Sequence, residues 1–370
     1  MRTARCGVLT VVVLLLLPTR LFAWGGVVDI SQSNGGHSWA YPEVDADGSG
    51  VLHAVYSDGV GVARVYYLKS TDGGNTWSAP YDISGSLTQS YFPSIAVDAD
   101  NHLNVVWHDL GQTRVYYARS ANGGASFSAP INLSTGGSPD SREPQIAAHK
   151  NGSGYIHVIW RENVGGNSHA YHRRSNDGGQ TWDFVDLEMY PNHLDIAAEG
   201  GTYVHVVAVS GSQVLYKRST NDGLGWSTAV TLAGSAWYDD APSLAITPAG
   251  DVHCAWTTGT RDCVRVSSSS NRGETWGSGV AAICAGFRTF QPALAAEAQG
   301  HLHLVAYSTQ QGAILHALSE NHGSTWGAGG VAVGGLARNS QSSRIVDCVQ
   351  SATDAAAWLC QSDPSEVRIA

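Results

Sequence analysis

The chain has 370 residues, of which 43% are hydrophobic and 14% are charged, and its formal net charge at pH 7 is −10. Such an acidic balance argues against nucleic acid or an anionic membrane as the partner, because both would be repelled by the net charge of the protein. An anionic sugar stays compatible with this composition, since a local arginine cluster can override the net field.

The first 23 residues have the pattern of a secretory signal peptide. Arg2 and Arg5 precede an apolar run over residues 8–17, and Ala23 offers a small residue before the expected cleavage site. The run is too short to span a bilayer, and no later stretch is apolar enough to do so. We therefore expect removal of residues 1–23 and a soluble mature chain that is secreted or periplasmic. Without Arg2, Arg5 and Arg20, 18 basic residues remain against 31 acidic ones, which gives −13.

Four short runs of strand-forming residues recur through the rest of the chain. In the first repeat they begin at Pro42, Leu52, Arg64 and Tyr81, with turns rich in Gly, Asn, Asp and Ser between them. The same succession returns about every fifty residues. Four strands in about fifty residues correspond to one blade of a β-propeller.

One eight-residue phrase lies between the third and fourth runs and occurs six times. It reads Ser-x-Asp/Asn-x-Gly-x-Thr/Ser-Trp/Phe, except that Gly225 replaces the hydroxyl residue in the fourth copy. The copies are Ser70–Trp77, Ser120–Phe127, Ser175–Trp182, Ser219–Trp226, Ser269–Trp276 and Ser319–Trp326. A repeat of this period indicates a propeller or solenoid. Its Asp or Asn and its glycine suit a tight turn, and the final ring can pack on the sheet, so we expect a structural role.

The phrase resembles the Asp-box, or bacterial neuraminidase repeat, of sialidase-like β-propellers, and the resemblance covers nearly all of residues 24–370. It implies an all-β fold in a single propeller domain over 24–370. We predict seven blades of four strands, because residues 345–347, 355–359 and 367–369 supply three more strands after the sixth phrase. The N-terminal strand 27–31 would complete this C-terminal blade and close the ring, which removes exposed edges.

Seven blades matter for function, because the family's sialidases have six. A seven-bladed ring resembles the wider Asp-box group, which includes lectins and polysaccharide-cleaving enzymes. The fold alone therefore leaves the function open.

The meander predicts two faces with different loops. The six phrases and the turns between first and second strands lie on one face. The opposite face, here named the bowl face, carries the incoming loops (such as residues 89–92, 140–143, 190–193 and 237–240) and the loops after the second strands. In sialidase-like propellers the ligand site resembles a bowl on this face. The bowl-face loops differ between repeats, which favours one asymmetric site.

Aromatic, arginine and acidic side chains of the bowl-face loops suit a carbohydrate ligand, although each ring could equally pack between blades. The predicted ligand-binding residues are Trp39, Tyr91, Arg142, Arg161, Trp237, Tyr238 and Arg288. A glycoside hydrolase would instead need two carboxyl groups roughly 5 to 9.5 Å apart. The candidate carboxylates are Asp109, Glu143, Glu162, Asp239 and Asp240, and the sequence singles out no catalytic pair.

Sialidase activity would require three arginines on the substrate carboxylate, a tyrosine nucleophile with a glutamate base, and an aspartic acid. Arg142, Arg161 and Arg288 could form the arginine clamp, and Tyr238 or Tyr307 could be the nucleophile. The family's Arg-Ile-Pro signature finds its nearest match in residues 142–144, with glutamate in place of isoleucine. The complete set is not recognisable.

No metal or cofactor is predicted. Histidines recur in the second strands, but equivalent positions of different blades stand around a ring, too far apart to share an ion; these are His53, His157, His205, His253 and His303. Residues 45–50 resemble the start of a calcium loop, yet Tyr56 stands where an EF-hand requires glutamate.

Five cysteines lie beyond the signal segment, and an odd number leaves at least one unpaired in an oxidising compartment. Alignment of the fifth phrase on the first places Cys263 and Cys284 at opposite ends of paired third and fourth strands. We predict a disulfide between them.

These features favour an exported propeller that binds a glycan or polysaccharide through the bowl face. The first alternative is a glycoside hydrolase, a sialidase or another exo-glycosidase, that uses carboxylates of the same face. The second alternative is a non-catalytic scaffold that binds a protein partner.

Overall fold

The computed structural model of the chain describes residues 28–30, 42–59, 62–134, 140–284, 289–297, 299–327, 330–333, 349–350, 356–357, 359–363 and 366–369. The regular structure of these residues consists of β-strands, which confirms the all-β prediction. No helix in this part of the chain is long and apolar enough to span a membrane.

The strand β1 (Val28–Asp29) precedes six antiparallel sheets of four strands, each paired in sequence order. We number these sheets as blades 1 to 6. Blades 1 to 3 comprise β2 (Glu43–Ala46), β3 (Leu52–Asp58), β4 (Arg64–Ser70), β5 (Tyr81–Asp82), β6 (Ser90–Val97), β7 (Leu103–Asp109), β8 (Arg114–Ser120), β9 (Ile131–Asn132), β10 (Asp140–Ala148), β11 (Ile156–Val164), β12 (Asn167–Ser175) and β13 (Asp183–Asp186).

Blades 4 to 6 repeat this arrangement. They comprise β14 (His193–Ala198), β15 (Val204–Ser210), β16 (Gln213–Ser219), β17 (Val230–Ala233), β18 (Ser243–Ile246), β19 (Val252–Thr257), β20 (Cys263–Ser269), β21 (Val280–Cys284), β22 (Thr289–Ala296), β23 (Leu302–Ser308), β24 (Ala313–Ser319) and β25 (Gly330–Val333). The last strands are β26 (Val349–Gln350), β27 (Ala356–Ala357), β28 (Leu359–Asp363) and β29 (Glu366–Ile369).

The described residues contain six four-stranded blades and not the predicted seven. The remaining strands form a two-stranded sheet, β26–β27, and a three-stranded sheet in the order β1–β29–β28. In the latter, Val28 pairs with Ile369. The predicted strand at 345–347 lies outside the described residues, and the strand predicted at 355–359 is found as β27 with β28 starting at Leu359. The terminal sheet thus has three strands where the prediction required four.

The hydrophobic core lies between neighbouring blades. All seven residues of β7 are buried, because both faces of a second strand pack against adjacent sheets. Val55 and Tyr67 of blade 1, for example, share a cluster with Leu103 and Trp107 of blade 2. Full burial of each such side chain contributes about 1.5–3 kcal/mol, so the blade interfaces supply most of the folding energy.

The first strand of each blade lies closest to the axis, where residues of β2, β6, β10, β14, β18 and β22 line a cavity of about 400 Å³. Such a strand has an open edge, and its N–H groups find acceptors on the preceding blade. Val97 N–H donates to Asp45 Oδ2 at 2.7 Å, and Leu244 N–H donates to Asp195 Oδ2 at 2.7 Å. Side chains of one blade thereby satisfy the open edge of the next.

The six repeats form the same turn between third and fourth strands. In every copy the serine Oγ accepts the N–H of the fifth-position glycine at 2.8–2.9 Å. The Asp or Asn side-chain oxygen accepts the N–H of the seventh residue at 2.8–3.0 Å. These bonds explain why the phrase combines a hydroxyl, a short carbonyl side chain and glycine.

From the second copy onwards, the fifth-position glycine lets the turn lie directly on the preceding blade. Gly273 has φ +73°, and a Cβ added there would be 1.7 Å from Tyr216 Oη. Tyr216 Oη is hydrogen-bonded to His205 Nδ1 at 2.6 Å, and Tyr67 forms the same pair with His53 at 2.7 Å. The recurring second-strand histidines therefore support the residue on which the next turn rests.

Blade 3 replaces that tyrosine with His172, which creates a buried chain of three histidines. His157 Nδ1 lies 3.1 Å from His172 Nε2, and His157 Nε2 lies 3.2 Å from His149 Nε2. Burial lowers the pKa of His172 to about 3 and lowers that of His157 strongly, because a charged imidazole would lose its hydration there.

The predicted disulfide is confirmed. Cys263 of β20 and Cys284 of β21 lie opposite each other in the register of blade 5 and are bonded. Cys254 in β19, the second strand of the same blade, is buried and has a free thiol.

We expect Gly273→Ala to lower the free energy of unfolding by roughly 2–5 kcal/mol, because it combines left-handed backbone strain with a clash on Tyr216. Gly73→Ala is the matched control: Gly73 has φ +71°, and no heavy atom lies within 4 Å of its added Cβ. Strain alone predicts a loss of about 1–2 kcal/mol for the control. Urea unfolding measures both, and equal losses would show that contact with Tyr216 does not select glycine.

We expect His172→Tyr to reduce the loss of stability at acidic pH. The pKa of His172 in the folded state lies below the value of about 6.5 of an unfolded histidine, so the unfolded chain binds more protons between these values and stability falls as the pH drops from 7 towards 4. Tyrosine stays neutral there and restores the pair seen at Tyr67 and Tyr216. Between pH 7 and pH 5 the variant should retain on the order of 2 kcal/mol that the wild type loses.

The reciprocal variant Tyr216→His supplies the control, because it places a second histidine beside His205. Its free energy of unfolding should fall more steeply than that of the wild type between pH 7 and pH 5. Parallel pH profiles of the three proteins in urea titrations would refute the assignment of this pH dependence to the histidine chain.

Candidate functional site

The bowl face carries the starts of the first strands and the hairpins between second and third strands. Tyr91 lies at the start of β6, Arg142 at the start of β10 and Arg161 near the end of β11. Trp237 and Tyr238 precede β18 on the same face. The predicted ligand-binding residues Trp39 and Arg288 lie outside the described residues. Five of the seven predicted residues are thus on blades 2, 3 and 5 of this face.

A backbone bulge marks the start of three blades on this face. Phe92, Glu143 and Gln291 each precede a proline and have φ of +52°, +51° and +53°. At these points the pairing of first and second strands shifts its register. A left-handed backbone costs about 1–2 kcal/mol for residues with a Cβ, and such strain clusters at functional sites.

Four charged or titratable side chains form a polar chain across blades 3, 4 and 5. Arg161 Nη2 donates to Glu143 Oε1 at 2.9 Å. His193 Nδ1 lies 3.0 Å from Glu143 Oε2, and His193 Nε2 lies 3.7 Å from Asp239 Oδ1. Glu143 is buried, whereas the Asp239 side chain is 70% exposed. The chain therefore leads from a buried carboxylate to an acceptor in solvent.

The partners of Glu143 determine its charge. Burial alone would raise the pKa of this carboxyl, but hydrogen bonds and attraction from His193 and Arg161 hold the pKa well below its usual range. Glu143 is therefore ionised at neutral pH and fixes both partners. It cannot supply a proton to a substrate under these conditions.

Arg142 and Arg161 lie opposite each other in the pairing of β10 and β11. Like charges in such a position repel, and each arginine is balanced by its own carboxylate. Arg142 Nε donates to Asp140 Oδ1 at 2.6 Å, as Arg161 does to Glu143. The Arg142 side chain is 41% exposed, which leaves donors that a ligand can reach.

Two aromatic surfaces flank the polar chain. On blade 2, Phe92 stacks on His108 with ring centroids 5.1 Å apart, and Tyr91 lies 6.3 Å from the same imidazole. On blade 5, Trp237 and Tyr238 have centroids 4.8 Å apart. Tyr238 is 52% exposed, so its ring is accessible to a ligand.

The guanidinium of Arg261 lies 4.1 Å from the centre of the Trp237 ring, a cation–π contact. The backbone N–H of Trp237 also donates to Thr257 O at 2.9 Å. These two contacts hold the indole in place beside the exposed ring of Tyr238.

Asp109 and Glu162 are buried and hold the bowl-face turns together. Asp109 accepts the N–H groups of Gln89 at 3.1 Å and Gln112 at 2.9 Å. Glu162 Oε2 accepts Trp160 Nε1–H at 2.9 Å and Ser141 Oγ–H at 2.8 Å. Both carboxylates are thus engaged by donors of the fold itself.

Asp240 is also buried and connects blade 5 to the bulge of blade 6. Its two oxygens accept the N–H of Gln291 at 3.0 and 2.8 Å, and Thr257 Oγ1 donates to Oδ2. Burial raises the pKa of Asp240 to about 6, only partly offset by these donors. Asp240 has the pKa of a general acid, yet it is 3% exposed and faces protein donors.

Residues that the sequence did not single out complete the site. His193 joins Glu143 to Asp239, His108 stacks with Phe92, and Arg261 covers Trp237. His193 and His108 lie in or beside bowl-face loops, and this position in the sequence is the one feature that could have indicated them. Nothing in the spacing of Arg261 links it to Trp237.

Among the described residues, one group of side chains is close enough together to bind a metal ion, and it lies on the face opposite the bowl face. Ligand atoms of Asp98, Asp100 and His102 lie within 4.8 Å of one another. Asp98 Oδ1 accepts the N–H groups of Asp100 and His102, and Arg119 Nη2 lies 2.6 Å from His102 Nδ1. Turn formation and a neighbouring guanidinium account for this cluster.

Comparison with solved structures shows a sialidase-like β-propeller fold. A lectin from Burkholderia pseudomallei has a TM-score of 0.66 at 13% identity, with 90% of this chain and 96% of the lectin covered. A polysaccharide lyase described as an ulvan lyase has a TM-score of 0.62 at 12% identity, with 90% and 92% covered. A Hadza microbial sialidase has a TM-score of 0.54 at 16% identity, with 73% of this chain covered.

The chain spans 63% of the length of that sialidase. No family model matches the chain, and no curated protein matches it. At these identities the likeness shows the fold alone.

Proposed function

We propose that this propeller binds carbohydrate through its bowl face. The observation that carries the proposal is the polar chain of Arg161, Glu143, His193 and Asp239, which crosses three blades and is flanked by aromatic rings. A sugar needs donors and acceptors for its hydroxyl groups and a flat apolar surface for its C–H groups. The chain and its flanking rings supply both.

The accessible members of the site have distinct roles in this proposal. Asp239 accepts hydrogen bonds from sugar hydroxyls, Arg142 donates them, and Tyr238 presents a ring to the C–H face of the sugar. Glu143 holds Arg161 and His193 in place before the ligand arrives. Fixed side chains lose little conformational entropy on binding, which favours affinity.

The carboxylates favour binding over hydrolysis. A glycoside hydrolase needs an accessible acid and a second carboxylate across the bond. Asp109, Glu162 and Asp240 are buried and engaged by protein donors, and Glu143 is buried between Arg161 and His193. Among the solved structures with this fold are a lectin, a lyase and a sialidase, so hydrolysis remains a distinct outcome of the test.

The test uses residues 24–370 on a broad glycan array with mass-spectrometric detection of retained and cleaved sugars. Tyr91→Ala, Arg142→Ala and Trp237→Ala should each weaken retention by at least about tenfold, as expected for central aromatic and arginine contacts. Tyr81→Ala is the control, because Tyr81 is an exposed ring of the fourth strand in blade 1. Its retention should match the wild type.

Each other outcome replaces the proposal with a defined alternative. Release of a shortened sugar would identify a glycoside hydrolase, and the product would name the bond. Full retention by all three variants would move the binding site away from the bowl face. Absence of binding to every glycan on the array would favour the alternative of a scaffold that binds a protein partner.

We propose further that the mature protein is exported as a single domain of residues 24–370, whose two ends pair in one terminal sheet and close the ring. The apolar run of residues 8–17 supports export. The order of β28, β29 and β1 is that expected for the second, third and fourth strands of a terminal blade. Pairing of Val28 with Ile369 supports closure of the ring by the two termini.

The double variant V28C/I369C tests both parts of this proposal in one measurement. The protein recovered outside the cell should have the mass of a chain beginning at Trp24 and should contain a disulfide between the two introduced cysteines. The pair V28C/V367C is two residues out of register, avoids the position opposite Cys360 and should stay reduced. An intact N-terminus would contradict export with cleavage, and equal oxidation of both pairs would contradict the closure.

A further inference from the structure

A second aromatic surface lies on blade 3, away from the polar chain. It consists of His169 and Tyr171 on β12, Phe184 on β13, and Tyr190 in the loop that leads to blade 4. We name these four residues the blade-3 shelf. Phe184 is 43% exposed and Tyr190 is 57% exposed. Two large rings in solvent on one blade require an explanation, because such exposure often marks a binding surface.

The rings of the shelf are connected and held in fixed orientations. Tyr171 lies 5.1 Å from Phe184 and 6.0 Å from His169, and Tyr190 meets His169 edge-on at 5.1 Å. The buried Trp160 supports Tyr171 at 5.9 Å. A ring set that is braced in this way loses little freedom when a ligand stacks on it.

A cation and a carboxylate border the shelf. The guanidinium of Arg173 lies 5.4 Å from the centre of the Phe184 ring and donates to Leu133 O at 2.5 Å. Asp186 Oδ2 lies 3.5 Å from His169 Nδ1, and the Asp186 side chain is 40% exposed. The shelf therefore offers apolar faces beside one accessible carboxylate.

Blades 1 and 2 show what is particular to blade 3. Tyr66 and Tyr116 correspond to Tyr171 in register, since they pair with Asp82 and Asn132 as Tyr171 pairs with Asp186.

Two positions around that shared tyrosine differ in blade 3. Arg64 of blade 1 corresponds to His169 and binds Asp82 at 3.2 Å. Pro80 precedes the fourth strand where blade 3 has Phe184. Where blade 1 has an ion-paired arginine and a proline, blade 3 therefore has the rings of His169 and Phe184.

We propose that the blade-3 shelf binds a sugar unit of the same glycan that occupies the bowl face, an inference that rests on the proposed function. The unit is a neutral β-linked hexopyranose with equatorial hydroxyls, because its axial C–H groups present a flat apolar face. Those C–H groups stack on the negative face of Phe184 or of Tyr190. Asp186 accepts a hydrogen bond from a sugar hydroxyl and disfavours uronate or sulfate groups by charge repulsion.

The loop between blades 3 and 4 connects the shelf to the bowl face. Tyr190 contacts His169 on the shelf, and His193, three residues later, contacts Glu143 in the polar chain. Ser210 Oγ donates to Tyr190 O at 2.8 Å, and Asn192 N–H donates to Val209 O at 2.7 Å, so blade 4 holds this loop. One oligosaccharide can thus contact both surfaces along a loop that is fixed in place.

Isothermal titration calorimetry with cellohexaose and chitohexaose tests the shelf on residues 24–370. Phe184→Ala and Tyr190→Ala should each weaken binding of the hexasaccharide by about three- to tenfold, the effect of one lost aromatic contact. Binding of the corresponding disaccharide should change less, because a disaccharide fills the bowl face alone. Tyr81→Ala again serves as the control for removal of an exposed ring. Thermal unfolding verifies that each variant is folded.

The outcomes separate the shelf from the bowl face. If the Tyr91 and Trp237 variants lose hexasaccharide binding and the shelf variants do not, the shelf is refuted while the proposed function stands. If only the shelf variants lose binding, the shelf is a site by itself and the bowl-face proposal fails. Absence of binding by both hexasaccharides at millimolar concentration overturns the shelf proposal.

Discussion

The contact on which this propeller depends is the close approach of each repeat to the preceding blade. A glycine with a left-handed backbone brings the turn against a third-strand side chain, as Gly273 does against Tyr216, and a second-strand histidine holds that side chain from below. The contact joins two sheets whose described strands do not pair with each other. It also fixes the distance at which the hydrophobic faces of neighbouring blades pack against each other. Serine, Asp or Asn, glycine and an aromatic ring must therefore recur at each blade, since each has one place in the same local geometry.

Because the repeats hold one face, the opposite face is free to differ between blades. The eight-residue turn lies on the other face and does not constrain this one, where blades 3, 4 and 5 bring together Arg161, Glu143, His193 and Asp239. Side chains also satisfy the open inner edges near the axis, as Asp45 does for Val97. Carboxylates in this protein thus have two kinds of task. Some stabilise backbone donors at blade edges, and others, such as Asp239, reach solvent.

Much of the fold could be predicted because the repeat is local. The four strands of each blade follow from alternating turns and apolar runs, and the pairing of Cys263 with Cys284 followed from register alone. The blade count did not follow, because the terminal strands carry no repeat to set their register. The roles of Asp109, Glu162 and Asp240 were also beyond the sequence. Each role depends on which N–H groups the loops and bulges turn towards a carboxylate, and no local pattern encodes that.

The bulge at Glu143 shows how the site and the fold limit each other. Its left-handed backbone is unfavourable, and a buried carboxylate is more so, yet both occur at one residue. Arg161 and His193 each engage one oxygen of this carboxylate, so removal of either would leave one buried oxygen without that partner. Ligand groups that compete for Arg161 must therefore offer an anion in exchange for Glu143, whereas neutral hydroxyls can bind at Asp239 without disturbing the pair. The geometry of the polar chain therefore favours a ligand that approaches from its exposed end, at Asp239.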